Sequence, residues 1–225
     1  MESGTSLPVK GHRVHQRHFD RLVMLSDGVF AIAMTLSAVE LKPEPQLGEN
    51  LLHAWVGPLL TYFVSFAITG TVWIRHRRTL AHLRRVDTPM TLISLLLLSL
   101  VALMPVVIRV LLSGAMGSRS TGMLFYSVVM MANYACLAAG WGYAAFIAQL
   151  APDVPRLRAW GWLLQELFVV IVFGALALYC LHQILLASLI LLVGVGIRVG
   201  SVQLERAFAK DAAANAPHED ANPGQ

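Results

Sequence analysis

The chain has 225 residues, 56% of them hydrophobic and 13% charged, with a mean hydropathy of +0.64 and a formal net charge of +4. An ordinary soluble domain carries about twice that share of charge. Too few charged groups remain to cover a water-facing surface, which excludes both an ordinary soluble enzyme and a disordered chain. Cys136 and Cys180 sit inside apolar runs and offer no disulfide framework, so the composition is that of a membrane protein.

A membrane-spanning helix needs about 20 mostly apolar residues. The first candidate runs from about Leu22 to Leu41 and ends at the breaker series Lys42, Pro43, Glu44, Pro45. The second covers Leu51 to Ile74 and is followed by the basic stretch "RHRRTLAHLRR". The third starts near Pro89 and runs through "LISLLLLSLVALMPVVI" to Arg109. The fourth covers Met123 to Leu150 and stops at Ala151, Pro152 and Asp153. After Arg158 comes one apolar stretch of 46 residues, Ala159 to Leu204. At helical rise that is roughly 69 Å, more than twice the hydrocarbon core of about 30 Å. It must fold back, and the polar pair His182 and Gln183 is the expected hinge. The fold class is therefore an all-α membrane protein with six transmembrane helices.

Lys and Arg set the orientation. An even number of spans puts both termini on one side, with the loops after spans two and four. That side holds all of the 17 Lys and Arg residues except Lys42, Arg109 and Arg119, so both termini are expected in the cytoplasm. Arg75, Arg77, Arg78, Arg84 and Arg85 then read as a topology anchor near anionic headgroups, and no nucleic-acid partner is expected. The start of the chain looks like a signal peptide, but its basic region runs to Arg21, Asp27 interrupts the apolar run, and five more spans follow. Residues 1–20 form a cytoplasmic N-terminal segment, 21–206 the six-helix transmembrane domain, and 207–225 a small, polar, Pro-containing tail expected to be disordered.

Ionisable residues inside a span are costly, so each marks a site or a contact between helices. Asp27 lies about one turn inside span one, beside Ser26, and reads as a functional carboxylate or as helix glue bonded to a neighbouring helix. Glu166 lies about two turns into span five and is expected to face other helices. Arg198 and Glu40 lie near span ends and can snorkel to the interface, where Glu40 could also attract cations. His12, His15 and His18 lie three apart in a segment expected to be flexible, which is poor geometry for ligands, and no metal site is expected. Gly140 and Gly142 suit close helix packing. No HExxH, GxSxG, P-loop or CxxC pattern occurs, so neither catalysis nor a cofactor is expected. The TVGYG loop of tetrameric potassium channels is missing as well. Span one carries Ile32, Leu36 and Val39 at i, i+4 and i+7, an apolar stripe with Thr35 on its flank; core packing alone produces such stripes.

The run from Arg21 through Ser26 and Asp27 to Ala31 resembles the R-x-x-x-F-S-D motif that opens the transmembrane protein 175 family. These are the endosomal and lysosomal potassium channels of animals and their prokaryotic relatives. The following "GVFAIAMTL" continues the likeness. It extends to Trp73 and His76 at the end of span two, Asp87 before span three, and "LLLLSLVALMP" ending at Pro105. Spans four to six agree only in hydropathy and position. The motif Phe is Leu25 here, and an Asn usual early in span three is Ser94, two departures that bear on the motif's packing network.

The resemblance implies a homotetramer of six-span subunits in a prokaryotic cell membrane, with span one lining a central pore. It implies a potassium-preferring cation channel, with potassium as the permeant ion and no carbonyl filter. Layers of apolar side chains narrow the family's pore, and by residue match these are Ile32, Leu36 and Val39, with Thr35 at a hydroxyl position beside the tightest layer. Arg21, Ser26 and Asp27 then read as a helix-clamping network rather than as ion ligands. The topology derived from charge agrees, placing Arg21, Ser26, Asp27, Trp73, His76 and Asp87 near one end of their spans with complementary donors and acceptors. Asp27 is expected to pair with Arg21, His76 or Trp73, within one subunit or across two.

Two other classes compete. A secondary transporter of a small organic substrate would show internal repeats or broken spans around a midplane site; Pro58 lies early in span two and Pro105 near the end of span three. A membrane-embedded enzyme or assembly factor would draw on Glu166 and the cytoplasmic histidines, without a convergent nucleophile and base.

Overall fold

Every apolar run is helical in the computed structural model, the third as two helices. The structure describes residues 9–39, 51–113 and 119–214, and the side chains within them except 9–15, 51–53, 61, 112, 113, 119, 204, 205 and 207–214. The helices are α1 (Val9–Val39), α2 (Leu51–Ala81), α3 (Thr88–Ala102), α4 (Met104–Ser113), α5 (Arg119–Gly142), α6 (Arg156–Cys180) and α7 (Ile184–Ala214), with no strand among the described residues. Six stretches are long and apolar enough to cross a membrane: Gln16–Val39, Ala54–Ala81, Thr88–Leu111, Ser120–Ile147, Arg156–Cys180 and Ile184–Gln203. The third of these comprises α3 and most of α4, so the chain is an all-helical, multi-pass membrane protein.

Local chemistry explains where the helices start and break. Asp87 caps α3: it is extended, and its carboxylate accepts from the Met90 N–H at 3.1 Å, with Pro89 in the first turn where no intrahelical donor is needed. Pro105 has no N–H to give to the Val101 carbonyl. The chain therefore tightens at Leu103, whose N–H reaches Leu100 at 3.2 Å, before the helix resumes. The α5 helix widens into a π-turn at Tyr143–Ile147, closed by the Ala148 N–H on the Tyr143 carbonyl at 2.9 Å. The expected fold-back occurs at His182 and Gln183. His182 takes a left-handed φ of 61°, the Gln183 N–H returns to the Leu178 carbonyl at 3.0 Å, and α7 begins at once.

The main core joins α1 to α5 through Phe30, Val72, Leu97, Val101, Met104 and Met130. The α6 and α7 helices lie side by side, so close that a Cβ on Gly194 would stand 2.7 Å from Ile171 Cγ2. Two expectations about the ends change. The histidine segment is helical, since α1 begins at Val9, and the boundary drawn at residue 207 falls inside α7. Residues 1–8 and 215–225, Glu40 and Lys42 lie outside the described residues, as do the side chains of His12, His15 and Arg119.

Candidate functional site

The α1 helix has two faces. Leu22, Ser26, Phe30, Ala33 and Ser37, spaced by three or four, are buried against the bundle, whereas Ile32, Leu36 and Val39 are 60%, 45% and 71% exposed. Thr35 shares the outward side. Its hydroxyl donates to the carbonyls of Ala31 (2.9 Å) and Ile32 (3.1 Å), so its proton stays within the helix and only its lone pairs remain to accept.

The other face is pinned by α2. Trp73 Nε1 donates to Asp27 Oδ1 at 2.9 Å, and His76 Nε2 lies 3.2 Å from Ser26 Oγ. The single Ser26 hydroxyl proton goes to the Leu22 carbonyl at 2.8 Å, so Nε2 is the donor in this contact. Farther along the same two helices, Ser37 Oγ and Ser65 Oγ are 2.7 Å apart and buried. The Arg77 guanidinium lies over the Trp73 ring, 5.3 Å from its centroid. A cavity of about 180 Å³ opens here, lined among others by Phe19, Asp27, Trp73, His76 and Arg77.

Within the subunit, Trp73 is the one of the three expected partners seen to hydrogen-bond Asp27 among the described residues. Arg21, six residues earlier, sits about 240° around the helix from Asp27. It is exposed and makes no side-chain hydrogen bond or ion pair with any described residue of the subunit. Asp87 also stands apart. Besides capping α3, it accepts from the Tyr143 hydroxyl at 2.5 Å and so joins α3 to the π-turn that follows α5. Ser26, Asp27, Trp73 and His76 thus form one contact group, Asp87 a second junction, and Arg21 belongs to neither.

One polar cluster escaped the sequence reading. Glu166 is 4% exposed, and its Oε1 accepts from Arg75 at 2.9 Å and from Arg78 at 3.3 Å. Arg75 also lies over the Tyr134 ring (5.3 Å), and Arg78 and Arg158 over Trp162 (4.8 and 4.9 Å). Two of the supposed topology anchors therefore bind α2 to α6. The usable signal was depth: a lone acid inside an apolar span needs a cation at its own level, and an Arg pair at i, i+3 just beyond span two supplies it. At the loops, Arg84 forks onto Asp153 at 2.9 and 2.5 Å. That hydrogen bond holds the Asp153 carboxyl below its ordinary range and raises the guanidinium. No group of three or more His, Cys, Asp or Glu side chains suited to a metal occurs among the described residues.

The family model of the endosomal/lysosomal potassium channel TMEM175 matches residues 21–105, the stretch from Arg21 through α1, α2 and α3 to Pro105. A protein of Streptomyces collinus, "Potassium channel B446_29190", is 32% identical over 149 residues, covering 62% of this chain and 72% of its own length. The chain belongs to the TMEM175 family. A second relative, "Potassium channel Cha6605_3372" of Chamaesiphon minutus, is 35% identical over 97 residues, 40% of this chain and 47% of that protein. No solved structure matches the chain.

Proposed function

We propose that the chain is one subunit of a potassium-preferring cation channel, a homotetramer in which four α1 helices line a central pore and both termini lie in the cytoplasm. One observation carries this reading: the outward apolar stripe of α1, opposite a face held by Trp73 and His76. The names of the two bacterial relatives support it. Around a fourfold axis, Ile32, Leu36 and Val39 stack as three apolar rings about 6 and 4.5 Å apart along the pore. Such rings carry no charge to attract an ion and act as a barrier. When narrow they exclude water; slightly wider, they pass a partly dehydrated ion, and dewetting gates them. Potassium gives up hydration water at lower cost than sodium, so the rings favour it, less strongly than a carbonyl filter would.

The reading is tested by reconstituting the full chain into liposomes and comparing potassium with sodium flux. Flux of both ions no greater than in protein-free vesicles would overturn it, and particle images lacking fourfold symmetry would overturn the tetramer. A secondary transporter would use the break at Leu103. Val101, Met104 and Val107 around that break are fully buried, which favours a packed kink over a substrate site.

A further inference from the structure

We infer that Arg17 and Arg21 are specificity-determining residues, two basic rings at the cytoplasmic mouth that keep divalent cations out of the pore entrance. The inference rests on the proposed tetramer with α1 on its axis, and what carries it is a register. The α1 helix is unbroken from Val9 to Val39, so residues 18 apart stand about five full turns apart on one line. Arg17 therefore lies in line with Thr35, and Arg21 with Val39, on the outward side that also holds Ile32 and Leu36. Both arginines are exposed, whereas Leu22 and Ser26 on the other face are buried. The acids of this helix fall off the line: Asp20 and Asp27 sit about 120° and 140° round from Ile32, and Asp27 is bonded to Trp73 at 2.9 Å. Helical rise puts Arg21 about 16.5 Å and Arg17 about 22.5 Å before Ile32.

An ion entering from the cytoplasm meets these guanidiniums before the first apolar ring, and they stay charged at any working pH. Clustered charges of one sign create potentials of several kT. At only one kT per unit charge, the mouth holds about threefold less of a monovalent cation and about sevenfold less of a divalent one. The apolar rings do not sort ions in this way, since they carry no charge. Mg²⁺ gives up its water reluctantly, so a Mg²⁺ ion that reached Ile32 would plug the rings rather than cross them. The arginines thus sort by valence and the apolar rings by hydration, two filters in series. The accompanying penalty is a lower potassium conductance in dilute salt, where screening is weak.

Single-channel currents of the full chain in planar bilayers test it, with MgCl₂ added to each side in turn. In Arg17→Gln with Arg21→Gln, the half-blocking Mg²⁺ concentration on one side is expected to fall about sevenfold in about 0.1 M KCl. The difference should close in about 1 M KCl, where the Debye length is about 3 Å. Arg17→Lys with Arg21→Lys keeps the charge and should block as the wild type does, a pattern that a role in packing or assembly does not produce. An unchanged Mg²⁺ block in the Gln variant, or a change undiminished in concentrated salt, would overturn the inference and leave the channel reading standing. A wild type that passes no potassium would overturn both. If Arg21→Gln fails to assemble, Arg17→Gln decides alone, with an expected fall of about threefold.

Discussion

Replacing Glu166 with alanine takes the carboxylate away from two guanidiniums beside an apolar helix. Arg75 and Arg78, 20% and 34% exposed at the side chain, both lean on Glu166 Oε1. Removing one partner of a buried ion pair costs about 3–5 kcal/mol, most of it the penalty of leaving charge uncompensated. Both arginines lie within two turns of the end of α2 and are partly exposed, so they can turn toward the headgroups. The loss should therefore fall at the low end, about 3 kcal/mol. Glu166→Gln keeps an oxygen acceptor and surrenders only the charge, which lowers the expected loss to about 1–2 kcal/mol. The assay is reversible unfolding of the full chain in mixed lipid–detergent micelles followed by tryptophan fluorescence, with Trp162 under Arg78 as the local reporter. In the double variant Glu166→Ala with Arg75→Met, part of the stability should return, because one of the two charges that lost the carboxylate is gone. A Glu166→Ala protein within about 0.5 kcal/mol of wild type would refute the reasoning.

Four further outcomes are expected. Ile32→Ser should raise conductance in liposomes and erode the preference for potassium over sodium; unchanged ion ratios would show that Ile32 is not the constriction. Asp27→Ala removes the acceptor of Trp73 and should abolish tetramer assembly or ion flux, so normal size-exclusion profiles together with normal flux would sink the clamp. Gly194→Ala drives a methyl to within 2.7 Å of the branched Ile171 side chain and should destabilise the fold by about 1–3 kcal/mol. Gly196→Ala meets nothing within 4 Å inside the subunit and is the neutral control. The Asp153 carboxyl titrates below its unfolded value of 3.8, so its contact with Arg84 stabilises the fold above that value and is lost as pH falls through the lower folded one. The wild-type melting temperature should drop more steeply than that of Asp153→Asn below about pH 4, and parallel curves would contradict the pairing.

Six spans were legible in the sequence because a helix in lipid must satisfy its own backbone, which makes its length and polarity local properties. The fold-back in the last apolar stretch followed from its length, and the polar pair His182 and Gln183 marked the place. The break at Leu103 was less visible: Pro105 could be read, but the tightened turn two residues before it comes from the geometry of the lost hydrogen bond. The helix from Val9 escaped because its polar residues carry no apolar periodicity.

At the site, the types were legible and the pairings were not. Asp27 beside Ser26 stood out as a polar pair in an apolar span, and Ile32, Leu36 and Val39 as a stripe, while Trp73 and His76 were named by the family resemblance. Which donor meets Asp27 depends on how α1 is rotated against α2, and no spacing within α1 specifies that angle. The same holds for Glu166: its sequence neighbours are apolar, and its cations lie 88 and 91 residues away. The sequence by itself determined that the chain crosses the membrane six times, and which side chains are too polar to face lipid. Only the tertiary structure decided which of those groups meet, because hydrogen bonds and ion pairs act over about 3 Å, and that distance is set by helix packing across the bundle.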